Sequence, residues 1–188
     1  MKLRTINLFL PILFCALSAL GSRAQAPTDG HLNASSYENT YFQFSYAWPK
    51  MLRPVDTSTL QLPRSSPNNN EFLLFSAQQG DSPFGVVIMA EKMGPTSHNP
   101  GFKNAADFLD RIVRSFKPEE HMKVLARTHV KNAEGRDFEE LDYQDGSGWN
   151  AGVVTQIGQF LILFKCNAQS AADLSAMTKS ILASHPIK

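Results

Sequence analysis

The sequence predicts an α+β fold: a single, mostly antiparallel sheet with helices on both faces, an α/β/α sandwich. Three observations carry that prediction. Two β-rich runs, Trp149 to Gln156 and Gln159 to Cys166, are separated only by Ile157-Gly158, and glycine supplies the positive φ that a tight hairpin needs. The second run opens with Phe160-Leu-Ile-Leu-Phe164, apolar at consecutive positions, so both faces of this strand are expected to be covered and the strand to lie mid-sheet. Finally, two segments, one mid-chain and one near the end, carry apolar residues at helical spacing, and one helix can then cover each face.

The chain begins with the order of a secretory signal. Lys2 and Arg4 precede an apolar run from Ile6 to Leu20, followed by the small residues of Gly21-Ser-Arg-Ala-Gln-Ala-Pro27. The run is short for a membrane span and is interrupted by Pro11. Cleavage after Ala24 competes with cleavage after Ala26, but Pro27 would hinder the peptidase at the second site, so residues 1–24 are read as the signal and Gln25 as the first mature residue. Cys15 does not make a lipoprotein signal, because Phe14 stands where a small residue is wanted. Loss of Lys2, Arg4 and Arg23 takes the basic residues from 18 to 15 against 17 acidic ones, a net charge of −2. That balance argues against a nucleic-acid partner. Cys166 is then the one remaining cysteine, so no internal disulfide can form and stability must come from packing.

Residues 25–39 are polar and small and are expected to form a flexible lead-in to a single domain over 40–188. Asn33-Ala34-Ser35 is a glycosylation sequon only in a glycosylating host. Tyr41 to Trp48 sets Phe42, Phe44, Tyr46 and Trp48 on one face of a half-buried strand ending at Pro49. A short extended piece at Met51 to Val55 leads into the loop Pro63 to Asn70. Phe72 to Ala77 and Phe84 to Lys92 read as a strand pair, the second apolar on both faces at Val86 to Met89 and hence inner. After the loop Gly94 to Gly101, Ala105, Leu109, Ile112, Val113 and Phe116 mark an amphipathic helix, stopped by Pro118.

Met122 to Val130 alternates, with Met122, Val124, Ala126, Thr128 and Val130 opposed to Lys123, Arg127 and His129, although Leu125 interrupts the polar side; the strand is expected to be one-sided and peripheral. Gly135 turns into the acidic strand Arg136 to Tyr143, and Asp145 to Gly148 leads into the hairpin. Ser170 can cap a last helix, with Asp173 three residues on and Leu174, Met177, Ile181 and Leu182 as its apolar stripe. The chain has no repeat and no low-complexity tract.

This order of elements resembles the Mog/PsbP-like fold of the extrinsic PsbP proteins of photosystem II, the Ran-binding Mog proteins and the DcrB-like envelope proteins. The resemblance is carried by Glu38 to Pro49, similar to an early aromatic strand ending in proline, by the helix Ala105 to Phe116, by the meander opening at Gly135, and by Gln159 to Phe164 before the last helix. The chain departs from the pattern at Tyr41, where a glycine is usual, and in its long loop Leu62 to Asn70. The resemblance implies a non-catalytic module that works by binding, with no cofactor and no functional residue to carry over.

The residues themselves point the same way. Cys166 ends an apolar strand on the face of Phe160, Ile162 and Phe164, the setting of a buried structural thiol. His31, His98, His121, His129 and His185 show no zinc-ligand spacing, so no metal site is predicted. Asp145-Gly-Ser-Gly148 lacks the spacing of a nucleophile elbow and reads as a turn. Strand alternation separates Glu139 from Glu140, which argues against paired acid/base carboxylates, and the glycines Gly146, Gly148 and Gly152 make no phosphate loop. Lys123, Arg127, His129 and Lys131, with Glu140 and Asp142, mark an expected open sheet region that neither helix reaches, the candidate surface for an envelope or secreted protein partner. The expected function is an exported, non-catalytic binding or accessory protein, periplasmic or extracellular; the alternative is a hydrolase or small-ligand-binding protein whose site is assembled only in the tertiary structure.

Overall fold

The computed structural model describes residues 26–57, 70–95, 101–117 and 120–187. The signal segment, the Leu62 to Asn70 loop except Asn70, His98 and the helix-stopping Pro118 lie outside the described residues. The strands are β1 (Gly30–Leu32), β2 (Ser36–Asn39), β3 (Phe44–Ala47), β4 (Arg53–Pro54), β5 (Glu71–Gln78), β6 (Gly85–Lys92), β7 (Lys123–Lys131), β8 (Asp137–Asp145), β9 (Gly148–Ile157) and β10 (Phe160–Ala168). Helix α1 (Ala105–Ser115) stands between β6 and β7, and α2 (Ala171–Leu182) follows β10.

Seven strands form one sheet in the order β4-β5-β6-β10-β9-β8-β7, antiparallel at every pair. The strand that is apolar on consecutive positions, β10, is the middle one, as burial on both sides requires. Its hairpin with β9 pairs Ile157 with Phe160, so the turn is Gly158-Gln159, one residue later than the sequence suggested, with Gly158 at φ 58. Phe160, Ile162, Phe164 and Cys166 share a buried cluster with Leu174, Met177 and Ile181 of α2, whereas the intervening Leu161 joins Phe108 and Leu109 of α1. Successive side chains of a strand leave it on opposite sides, which is why one strand feeds two cores.

Both helices start where their caps dictate. The Ser170 hydroxyl accepts the Asp173 N–H at 3.1 Å and donates to its carboxylate at 2.8 Å. Asn104 does the same work for α1 by accepting the Asp107 N–H at 2.9 Å. Each cap satisfies a backbone donor that the first turn leaves open.

The expectation of a single sheet fails at the N-terminal end. Strands β1, β2 and β3 form a separate three-stranded antiparallel sheet. The reason is aromatic packing: Phe44 meets Phe164 at 6.1 Å between ring centroids, and Tyr46 meets Phe164 at 5.8 Å and Phe75 at 5.9 Å. These rings stack β3 over the larger sheet instead of extending its edge. The flexible lead-in is likewise replaced, over residues 30–39, by β1 and β2. Tyr37 is 2 % exposed and stacks on Phe75 at 5.2 Å, and Asn39 is buried with its side chain donating to the Pro27 carbonyl at 2.9 Å. A four-residue strand with one aromatic is too short to show a period, so composition alone misses it. The early aromatic strand is correspondingly shorter than Tyr41 to Trp48, because Gln43 takes a positive φ of 51 and holds Tyr41 and Phe42 in a turn. Past α2, the backbones of His185 and Ser45 exchange hydrogen bonds of 2.9 and 3.2 Å, joining the small sheet to the C-terminal segment.

Candidate functional site

Strand β7 is peripheral, at the end of the sheet order, and exposed along most of its length. It does not carry the one open face that its alternation suggested. A bulge between Val124 and Ala126 changes the register: Lys123 lies opposite Gln144 and Ala126 opposite Asp142, but Val124 lies opposite Tyr143 and Arg127 opposite Leu141. One extra residue flips everything before it relative to everything after it. Arg127, His129 and Lys131 therefore share a side with Leu141, while Lys123 shares the other with Glu140 and Asp142.

Nor is this region beyond the reach of the helices. The Arg127 guanidinium donates to Asp110 Oδ1 and to the Ala106 carbonyl, both on α1 and both at 3.0 Å. His129 lies 2.9 Å from Glu139 and 3.3 Å from Asp137, and Lys131 lies 3.0 Å from Asp137. The hydrogen bond with Glu139 and the charges of both carboxylates push the His129 pKa above the usual histidine value. On the reverse side, burial and then the Asp142 charge raise the Glu140 pKa, and hydrogen bonds from Thr178 of α2 and from Thr128 oppose that shift. Burial also raises Asp142, whose Oδ1 is buried with no hydrogen-bond partner among the described residues. The six residues are thus two half-sets on opposite sides of β7 and β8.

The other sequence candidates settle into structural roles. Cys166 is 0 % exposed, and burial, with the negative charges of Glu140 and Asp142, holds its thiol protonated. The Asp145 carboxylate accepts from Ser147 N at 2.8 Å and Gly148 N at 3.1 Å, which makes the Asp145 to Gly148 segment a turn closing β8 onto β9. His31 pairs with Glu38 at 3.1 Å, and His121 occupies a left-handed backbone position at φ 50. No group of three metal-ligating side chains occurs among the described residues.

Sequence reasoning missed a cavity of about 420 Å³ at the C-terminal end of α1. Ile112, Ser115 and Phe116 form one wall; Met89, Leu141, Tyr143 and Leu163 of the sheet and Met122 before β7 form much of the rest. Gly152 of β9 and Lys165 of β10 lie directly opposite each other in the register and both line it. Lys165 is exposed although β10 is the middle strand, so the described residues leave this part of the sheet uncovered. One signal in the sequence could have found it: the run Phe160-Leu-Ile-Leu-Phe164 is broken by Lys165 on the side of Leu161 and Leu163. A lysine in a strand otherwise covered on both sides requires either a counter-charge or an opening.

The chain has a PsbP-like fold. The solution structure of cyanobacterial PsbP (CyanoP) from Synechocystis sp. PCC 6803 superposes with a TM-score of 0.51 at 16 % sequence identity, covering 82 % of this chain and 94 % of that one. At that identity the likeness is one of fold. No family model matches the sequence, and no curated protein matches it either. No helix among the described residues is long and apolar enough to cross a membrane.

Proposed function

We propose that this protein is an exported, non-catalytic binding or accessory protein, cleaved before Gln25 and acting on an envelope or secreted protein partner. Its architecture on this reading is a sandwich, with α1 and α2 covering opposite sides of the seven-stranded sheet, as the division of β10 side chains between two clusters supports. The observation that carries the binding role is β7, a nine-residue edge strand with Val124 43 % and Leu125 37 % exposed between Lys123 and Arg127. An edge strand offers unpaired backbone groups to another chain, and flanking charges select which chain can approach. The partner surface is accordingly the outer edge of β7, with Lys123, Arg127, His129 and Lys131, and Glu140 and Asp142 act from behind it.

The test is capture of a partner from envelope fractions by wild type and by Lys123→Glu/Lys131→Glu. This pair is chosen because reversal at Arg127 would also break its contacts with α1. Weaker capture, most marked at low salt and with an unchanged melting temperature, is the expected result. Undiminished capture assigns the surface elsewhere. The cavity at the C-terminal end of α1 favours a second reading, small-ligand binding.

A further inference from the structure

We propose that the cavity at the C-terminal end of α1 binds a single anionic amphiphile, with a carboxylate on Lys165 and an alkyl chain along Ile112, Phe116, Met122 and Leu163. This inference rests on the small-ligand reading and is independent of any protein partner at β7. The cavity, at about 420 Å³, lies within the range of roughly 300–1,000 Å³ usual for small-molecule sites.

Lys165 determines the chemistry. It projects from the fourth strand of seven, on the side shared with Leu161 and Leu163, and its cross-strand neighbours Val87 and Gly152 offer no polar group. It forms no ion pair with any described residue. An ammonium group on a rigid strand, beside an apolar wall and in no ion pair with a described residue, is complementary to a ligand that combines one negative charge with a hydrocarbon chain. Met89 and Met122 add unbranched, adaptable surface of the kind that accepts chains of different lengths.

Other occupants fit less well. Glu120 also lines the cavity, where its Oε2 accepts the Lys117 N–H at 3.1 Å; it makes no ion pair with Lys165 among the described residues, so the ammonium is left to the ligand. A free phosphate or sulfate would be held by several cationic donors, and one lysine among apolar walls does not provide them. A neutral apolar ligand would leave the lysine unanswered. Adsorption to an anionic membrane surface needs a basic cluster, whereas Lys165 is the one cation among the described residues that line the cavity.

The experiment is calorimetric titration of the full-length chain, as recovered from expressing cells, with dodecanoate below its micelle concentration, alongside dodecylamine and vesicles of anionic phospholipid. Saturable one-to-one binding of dodecanoate, weakened about tenfold or more in Lys165→Met, is expected, since a charge-assisted contact of this kind is worth at least about a factor of ten. Ser115→Trp, at the exposed rim, should block the same binding by bulk while leaving Lys165 in place. Dodecylamine and vesicles should not show the Lys165-dependent binding. The proposal is overturned if dodecanoate does not bind, binds Lys165→Met equally well, or is matched by dodecylamine. Capture undiminished in Lys123→Glu/Lys131→Glu, with dodecanoate binding intact, would count against the β7 surface alone.

Discussion

Replacing Glu91 by Gln should make the protein more stable at pH 8 than at pH 5, relative to wild type at the same pH. Glu91 lies directly opposite Glu71 in the β5–β6 register and beside Leu161 of β10, with Arg111 of α1 the cation that faces it. Burial is the largest influence on its carboxyl, the Glu71 charge adds to it, Arg111 opposes both, and the net result pushes the pKa up to about 7. Arg111 is itself shared with Asp107 at 3.2 Å and with the ring of Phe102 at 4.6 Å, which limits what it can give to Glu91. A carboxyl whose folded pKa exceeds its unfolded one favours the protonated fold, so its stability is full at low pH and is lost as pH rises from the ordinary carboxylate range through about 7. Each pKa unit is worth about 1.4 kcal/mol. Because Glu91 is only partly buried, solvent screening reduces the expected loss to about 1–2 kcal/mol. Urea unfolding of wild type and Glu91→Gln at the two pH values reads the contribution of Glu91 together with its coupling to Glu71, since the carboxylates that do not contact Glu91 cancel between the two proteins. If the gap between variant and wild type is the same at both pH values, Glu91 is ionised without cost and the reasoning is wrong.

Two further outcomes follow from the core and from the chain's start. Cys166→Ser should lower stability by about 1–2 kcal/mol, because a hydroxyl replaces a thiol that is 0 % exposed among apolar residues, and a thiol probe should label the native protein only as fast as it unfolds. The intact mass of the exported form should begin at Gln25; a mass beginning at Met1, or a lipid on Cys15, would refute the cleavage assignment.

The parts of the fold legible in the sequence are those that a local pattern determines. Consecutive apolar residues from Phe160 to Phe164 marked the middle strand, and Ser170 with Asp173 marked the start of α2, because burial on two sides and a helix cap each leave a signature within a few residues. Tyr37 left none: its burial depends on Phe75, far along the chain, and nothing in residues 36–39 announces that contact. The expectation that the six candidate residues share one open face failed for a related reason. Leu125 interrupts the polar side of β7 in the sequence, and that interruption falls at the bulge that sends Lys123 to one side and Arg127 to the other. The cavity is assembled from α1, four strands and the approach to β7, so only Lys165, out of place on an apolar strand, hinted at it.

The binding role is tested most directly by placing a photoreactive amino acid at Leu125, which is 37 % exposed on the outer edge of β7, and irradiating intact cells that export the protein. A discrete adduct with one envelope or secreted protein, absent when the same group is placed at the exposed Asp81 in the β5–β6 turn, is the predicted result. Adducts of equal yield from both positions, or none from Leu125, would contradict an edge strand that works by binding.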